Sequence, residues 1–273
     1  MNSQTMKDLL ELTAWRMEAP TIGSAFHIFA VLAVALVAVI AAVKVSRVRS
    51  DAVRIRILFV LGCVMLVSEV YKQLFYYFIV NDDVYDWWFF PFQLCSVPMY
   101  MCILLPLFDK RSIIYKSMLT FMCCFTFVSA AAALIWPEDM LRPYVTLTWH
   151  GLIWHGILLF ISVMIGLSGM ADLTPRGFFR AVCLFLFLCV TAIVINVLAE
   201  PAAAAHPLPS GFTSYPDMFY LSPYHVSLQP FVMQIGRAFG RPAAMAAYII
   251  SIIILAWITC CIFRPLGKSS PKK

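Results

Sequence analysis

Charge is scarce in this chain. Of 273 residues, 20 are Lys or Arg and 14 are Asp or Glu, 12% in all, whereas a soluble domain devotes about a quarter of its residues to these four types and covers its surface with them. A soluble globular enzyme is excluded. Glycine is also sparse, at 11 residues, and the chain has no glycine-rich phosphate loop, no GxSxG elbow and no internal repeat, so phosphate-cradle and hydrolase-elbow chemistries lack their motifs. Five histidines occur without HExxH or CxxC-type spacing, so neither a metal nor any other cofactor is expected. The nine cysteines lie in apolar runs rather than loops, and no disulfide framework is legible.

Apolar side chains are abundant, at 62%. Stretches free of Asp, Glu, Lys and Arg run from Ala19 to Val43, Trp87 to Phe108, Ser117 to Pro137, Pro143 to Ala171, Ala181 to Ala199 and Pro242 to Phe263. Each is long enough to cross about 30 Å of hydrocarbon as a helix. They are apolar all round rather than alternating, which selects an all-α, polytopic membrane bundle over a barrel. Seven spans are expected, near Phe26–Val45, Ile57–Val80, Phe90–Phe108, Ile113–Ile135, Val145–Ser168, Ala181–Ala199 and Ala243–Phe263. Residues 1–25 form a tail or a short interfacial helix, and no removable signal peptide is legible there. Residues 26–263 form the membrane domain and 264–273 a cytoplasmic tail. The Pro-rich stretch 200–242, with six prolines between Pro201 and Pro230, is expected to be an outer loop or re-entrant lid.

Lys and Arg distribution sets the orientation. An outside N-terminus leaves fourteen of them on the inner side and five (Lys7, Arg16, Arg142, Arg237, Arg241) on the outer side, with Lys72 inside a span; positive loops stay cytoplasmic, so the N-terminus is outside and the C-terminus inside. The net charge of +6 is therefore a cytoplasmic fringe facing anionic lipid, and no nucleic-acid partner is implied. A cell-membrane, multi-pass protein is expected, with the lipid bilayer as its environment.

Polar side chains within spans are costly and mark functional positions. On the second span these are Glu69, Lys72 and Gln73; on the third, Gln93, Cys95 and Ser96; on the fifth, Thr146, Thr148, His150 and His155; on the sixth, Thr191 and Asn196. Glu69 and Lys72, three residues apart, can pair on one face, either as a packing device or as part of a site. Cys95 lies between Pro91 and Pro98; with the helix starting at Pro91, it sits about 7 to 8 Å below the outer end, near a helix N-terminus that favours thiolate. His150 and His155 belong to a near-duplicated Trp-His-Gly, and their five-residue step turns about 140°, so both do not face one partner. Depth favours His150 as the base beside Cys95. His206 and His225 lie in the outer loop and, with Asn196 near the outer end of the sixth span, can line the same mouth.

The segment Pro91-Phe-Gln-Leu-Cys-Ser-Val-Pro-Met-Tyr100, followed two spans later by the Trp-His-Gly segment, resembles the YwaF family of bacterial integral membrane proteins, which is similar to eukaryotic transmembrane protein 164. The resemblance runs from the second span to the seventh. It implies a phospholipid acyltransferase with Cys95 as nucleophile and one of His150 or His155 as base. Many relatives carry His where this chain has Gln93, which cannot act as a base and is left to orient or to donate. Acyl transfer on a membrane phospholipid or other acyl lipid, through an acyl-thioester, is thus the expected activity, with Gln93, Ser96, Glu69, Lys72, Asn196 and His225 in support. The alternative is a non-enzymatic transporter or sensor built on the Glu69/Lys72 pair and the span histidines.

Overall fold

A computed structural model describes residues 2–137, 139–209, 214–225 and 229–268. Among them the regular structure is helical, with one isolated bridge between Arg16 and Tyr144. In chain order the helices are α1 (Ser3–Glu11), α2 (Ala25–Ser46), α3 (Asp51–Phe75), α4 (Val97–Leu104), α5 (Ile113–Ile135), α6 (Val145–Ser168), α7 (Pro175–Ala205), α8 (Pro230–Phe239) and α9 (Arg241–Lys268). Their starts are written in the sequence: Ser24, Ser50, Ser112 and Thr174 each accept a backbone N–H of the first turn, capping α2, α3, α5 and α7. Gly169, at φ 72°, ends α6 in the left-handed conformation.

Five helices (α2, α5, α6, α7 and α9) are long and apolar enough to cross a membrane. At the centre, α5 and α6 pack on each other; α5 also meets α4, α7 and α9, and α6 meets α2, α3 and α9. Close approach is bought with glycine. A Cβ at Gly62 would lie 2.9 Å from Cys102 Cβ, and one at Gly156 would lie 2.4 Å from Val34 Cγ1, so α3–α4 and α2–α6 are small-residue contacts.

Two expectations are corrected. The third span is not a helix from Phe90: residues 90–96 are irregular and α4 begins at Val97. Pro98 therefore sits in the first turn, where its missing N–H breaks no bond, and Cys95 lies in the turn before the helix, not within a span. The sixth span runs on to Ala205, past Pro201, and the following stretch contains α8 rather than loop alone. Of the two expectations for the first residues, the structure has the short helix, α1 (Ser3–Glu11), docked on the bundle. Val145 N donates to Trp15 O (2.9 Å), Met17 N to Pro143 O (3.1 Å), and the Thr13 and Tyr71 hydroxyls are 2.5 Å apart, docking α1 and its successor on the ends of α3 and α6.

Residues 214–222 fold inward as a plug. Ser214, Asp217, Met218, Phe219, Leu221 and Ser222 are buried. Two side-chain amides hold this segment by its backbone: Gln93 Nε2 donates to Asp217 O (3.1 Å) while its Oε1 accepts from Phe219 N (2.9 Å), and Asn196 accepts from Met218 N (2.6 Å) while donating to Met218 O (3.2 Å). Phe219 and Tyr220 are thereby kept at φ 58° and 55°, a conformation that costs a non-glycine residue about 1 kcal/mol or more.

Candidate active site

Beneath the plug lies a cavity of about 640 Å³, within the range of small-ligand sites. The turn 93–96, α3, α6 and the plug converge on it. Gln93, Cys95, Ser96, Glu69, Lys72, His150 and His155 all line it. The turn that presents Cys95 is tied locally: Ser96 N and Val97 N both donate to Gln93 O (2.8 and 3.2 Å), and the Tyr100 hydroxyl donates back to Pro91 O (2.8 Å). Irregular backbone at this position is tolerated because it lines a cavity rather than lipid.

Trp154 Nε1 donates to Cys95 O at 3.1 Å. This bond joins α6 to the cysteine turn between His150 and His155, both of which line the cavity. His155 Nδ1 lies 2.8 Å from Gly151 O; a carbonyl only accepts, so the proton resides on Nδ1 and the Nε2 lone pair is available as a base. His150 stacks on Trp154, with ring centroids 5.5 Å apart, and its Nε2 is buried without a hydrogen-bond partner. Both rings line the same cavity despite the 140° step between them. Ser96, Lys72 and Glu69 share this cavity with Cys95.

Glu69 is 3% exposed. Its Oε1 accepts from Lys72 Nζ (2.8 Å) and from Gln73 Nε2 (2.7 Å), and Gln73 Nε2 also donates to Phe89 O (2.5 Å). The charged pair thus points inward and braces the loop above it.

A family model, described as the TMEM164 family, matches residues 22–264. The chain belongs to the TMEM164 family. None of the curated proteins or solved structures compared with it matches. Family membership and the five long apolar helices make the chain a multi-pass membrane protein in a lipid bilayer.

Two supporting residues lie away from the cavity of this TMEM164-family member. Asn196 is wholly buried and acts on the plug alone. His225 Nε2 meets both carboxylate oxygens of Glu200 at 2.9 Å, and its ring stacks on Tyr215 at 4.4 Å. Sequence reasoning missed Trp154, because its aromatic neighbours made it one apolar residue among many, and Arg142, because it was counted as a loop charge. Asp217 was also missed. It is 1% exposed, its Oδ1 accepts from Ser222 N (2.8 Å) and its Oδ2 has no partner. Burial pushes its carboxyl up to about 7. Burial likewise raises Asp86, which accepts from Ser214 Oγ (2.9 Å) and Trp88 N (3.1 Å), linking the loop before the cysteine turn to the plug.

Proposed function

We propose that this protein is a membrane acyltransferase working through an acyl-thioester on Cys95, with a phospholipid or related acyl lipid as donor. The observation that carries this reading is the shared cavity of Cys95 and His155, tied by the Trp154 to Cys95 bond. His155 Nε2 takes the thiol proton; Sγ attacks the ester carbonyl; the ester C–O bond breaks, and the proton passes from His155 to the departing lysolipid oxygen. An acceptor alcohol then gives its proton to His155 and attacks the thioester, the C–S bond breaks, and the thiolate recovers the proton. The Ser96 hydroxyl, on the residue next to Cys95 and lining the same cavity, is our candidate donor to the oxyanion. Gln93 and Asn196 act as positioning residues that hold the plug over the site.

In this reading the chain crosses seven times with its N-terminus outside. α3, with 25 residues, is about 37 Å long, enough to cross, and α4 with its short extension Val97–Leu107 covers about 16 to 18 Å, half of a bilayer core. Cys95 then lies near mid-depth, as does His155, ten residues into α6 and about 15 Å along it. The test is intact-mass analysis of purified protein given a phospholipid. A hydroxylamine-labile acyl adduct on wild type, absent from Cys95→Ala and slowed more by His155→Gln than by His150→Gln, is the expected result. No adduct on wild type, or an adduct on Cys95→Ala, refutes it.

A further inference from the structure

The cavity also carries a pair of cations that the acyl-transfer chemistry does not use. Among the described residues, Lys72 and Arg142 are its lining cations, and they come from different elements, α3 and the turn before α6. Both lie against one ring: Lys72 Nζ is 5.7 Å and Arg142 Cζ 5.3 Å from the centroid of Phe89. Each is held on one side and keeps donors on the other. Lys72 gives one contact to Glu69 at 2.8 Å of an ammonium's three donors. Arg142 Nε donates to Asp139 O (3.0 Å) and its terminal nitrogen forms an ion pair with Asp139 Oδ1 at 3.6 Å, which leaves part of the five-donor guanidinium fork for a ligand. The backbone beneath Arg142 is fixed by Thr148, whose hydroxyl donates to Arg142 O (3.1 Å) and accepts from Arg142 N (2.9 Å). A planar fork and a point charge lining one cavity suit the oxygens of a phosphate. Part of the remaining lining, with Trp88, Val128, Ala132 and Ile252, suits hydrocarbon, while Ser129, Asp139 and Gln229 are polar.

We propose that Arg142 and Lys72 seat the phosphate of a phospholipid beside Phe89, presenting the glycerol esters to the cysteine turn. The seat is a binding site in its own right and rests on the acyl-transfer reading only for the fate of the ester. Lys72 and Cys95 line the same cavity, so a phosphate held by Lys72 shares it with the cysteine turn.

The test uses the purified full chain and lipids that cannot react: a diether phosphatidylcholine, and the matching diether glycerol without phosphate. Binding is followed by quenching of cavity tryptophan fluorescence. Wild type is expected to bind the phospholipid at least about tenfold more tightly than the diether glycerol, and Arg142→Gln to remove that preference, as loss of a charge-assisted contact does. Arg142→Lys restores part of it. Free glycerophosphate competes only at far higher concentration if the phosphate belongs to a lipid; competition at equal concentration overturns a lipid seat. Absence of any preference in wild type overturns the proposal without recourse to a variant, and so does a preference unchanged in both Arg142→Gln and Lys72→Gln. Failure of the two readings is distinguishable. An Arg142-dependent preference without an acyl adduct on Cys95 leaves the seat standing and removes the acyltransferase, whereas an adduct formed equally fast from phospholipid and diacylglycerol does the reverse.

Discussion

Replacing Asp217 by Asn should tighten the plug at neutral and alkaline pH and leave it nearly unchanged in acid. The carboxyl is 1% exposed, its Oδ2 has no partner, and burial pushes its proton affinity from 3.8 up to about 7. An acid whose folded-state value is raised binds its proton more firmly when folded. The stability it contributes is therefore full below about pH 4, declines as pH rises toward 7 and is gone above that. At about 1.4 kcal/mol for each tenfold change in proton affinity, the difference between the two ends is about 4 kcal/mol, or a thousandfold in plug opening, as an upper bound. Asparagine keeps the acceptor for Ser222 N and never ionises. Hydrogen exchange at the Met218 and Phe219 amides, which donate to Asn196 and Gln93, reports opening directly. At pH 8 these amides should exchange up to about a thousandfold more slowly in Asp217→Asn than in wild type, and at pH 4.5 within about tenfold. Comparison at equal pH cancels the chemical exchange rate. Equal exchange at pH 8, or the same ratio at both pH values, would refute the assignment of a buried, protonated Asp217.

Trp154→Phe removes the donor to Cys95 O and should cost about 1 kcal/mol in stability while slowing adduct formation more than any loss of folded yield explains, read by thermal melting and intact mass together. Glu69→Gln leaves Lys72 without its counter-charge; a purely structural pair predicts lower yield of monodisperse protein, and unchanged yield with lost turnover assigns the pair to the site. Gly156→Ala forces a Cβ to within 2.4 Å of Val34 and should destabilise the α2–α6 contact by about 1 to 3 kcal/mol, measured as a lower melting temperature that Gly156→Ala with Val34→Ala partly recovers. With the N-terminus outside, an impermeant thiol reagent should reach Cys95 from the outer face only; labelling from the cytoplasmic face alone would overturn that orientation.

The five helices long and apolar enough to cross were legible because hydrocarbon demands a continuous apolar stretch and leaves little room for another pattern. The third span was misjudged for the same reason. Residues 90–96 are as apolar as a helix, and composition does not record that their backbone is turned by Pro91, by the Tyr100 to Pro91 bond and by Gln93 O. Polar residues inside apolar runs were the most informative signal. Glu69, Lys72, Gln93, Cys95, Ser96, His150 and His155 were singled out by type and reappear around one cavity. What type alone did not supply was the partner: Gln93 and Asn196 read as site polarity, yet their amides are spent on the backbone of Asp217, Met218 and Phe219, more than twenty residues from Asn196 and over a hundred from Gln93. A carboxamide matches a peptide unit donor for acceptor, which suits it to hold a segment whose regular structure is a single short turn, Met218–Tyr220. The plug's own bonds, from Tyr220 N to Asp217 O, Leu221 N to Met218 O and Ser222 N to Asp217 Oδ1, are supplemented by the amides of Gln93 and Asn196. Gln93 lies two residues from Cys95, so the plug and the turn that carries the thiol share a residue, and a change at Gln93 acts on both.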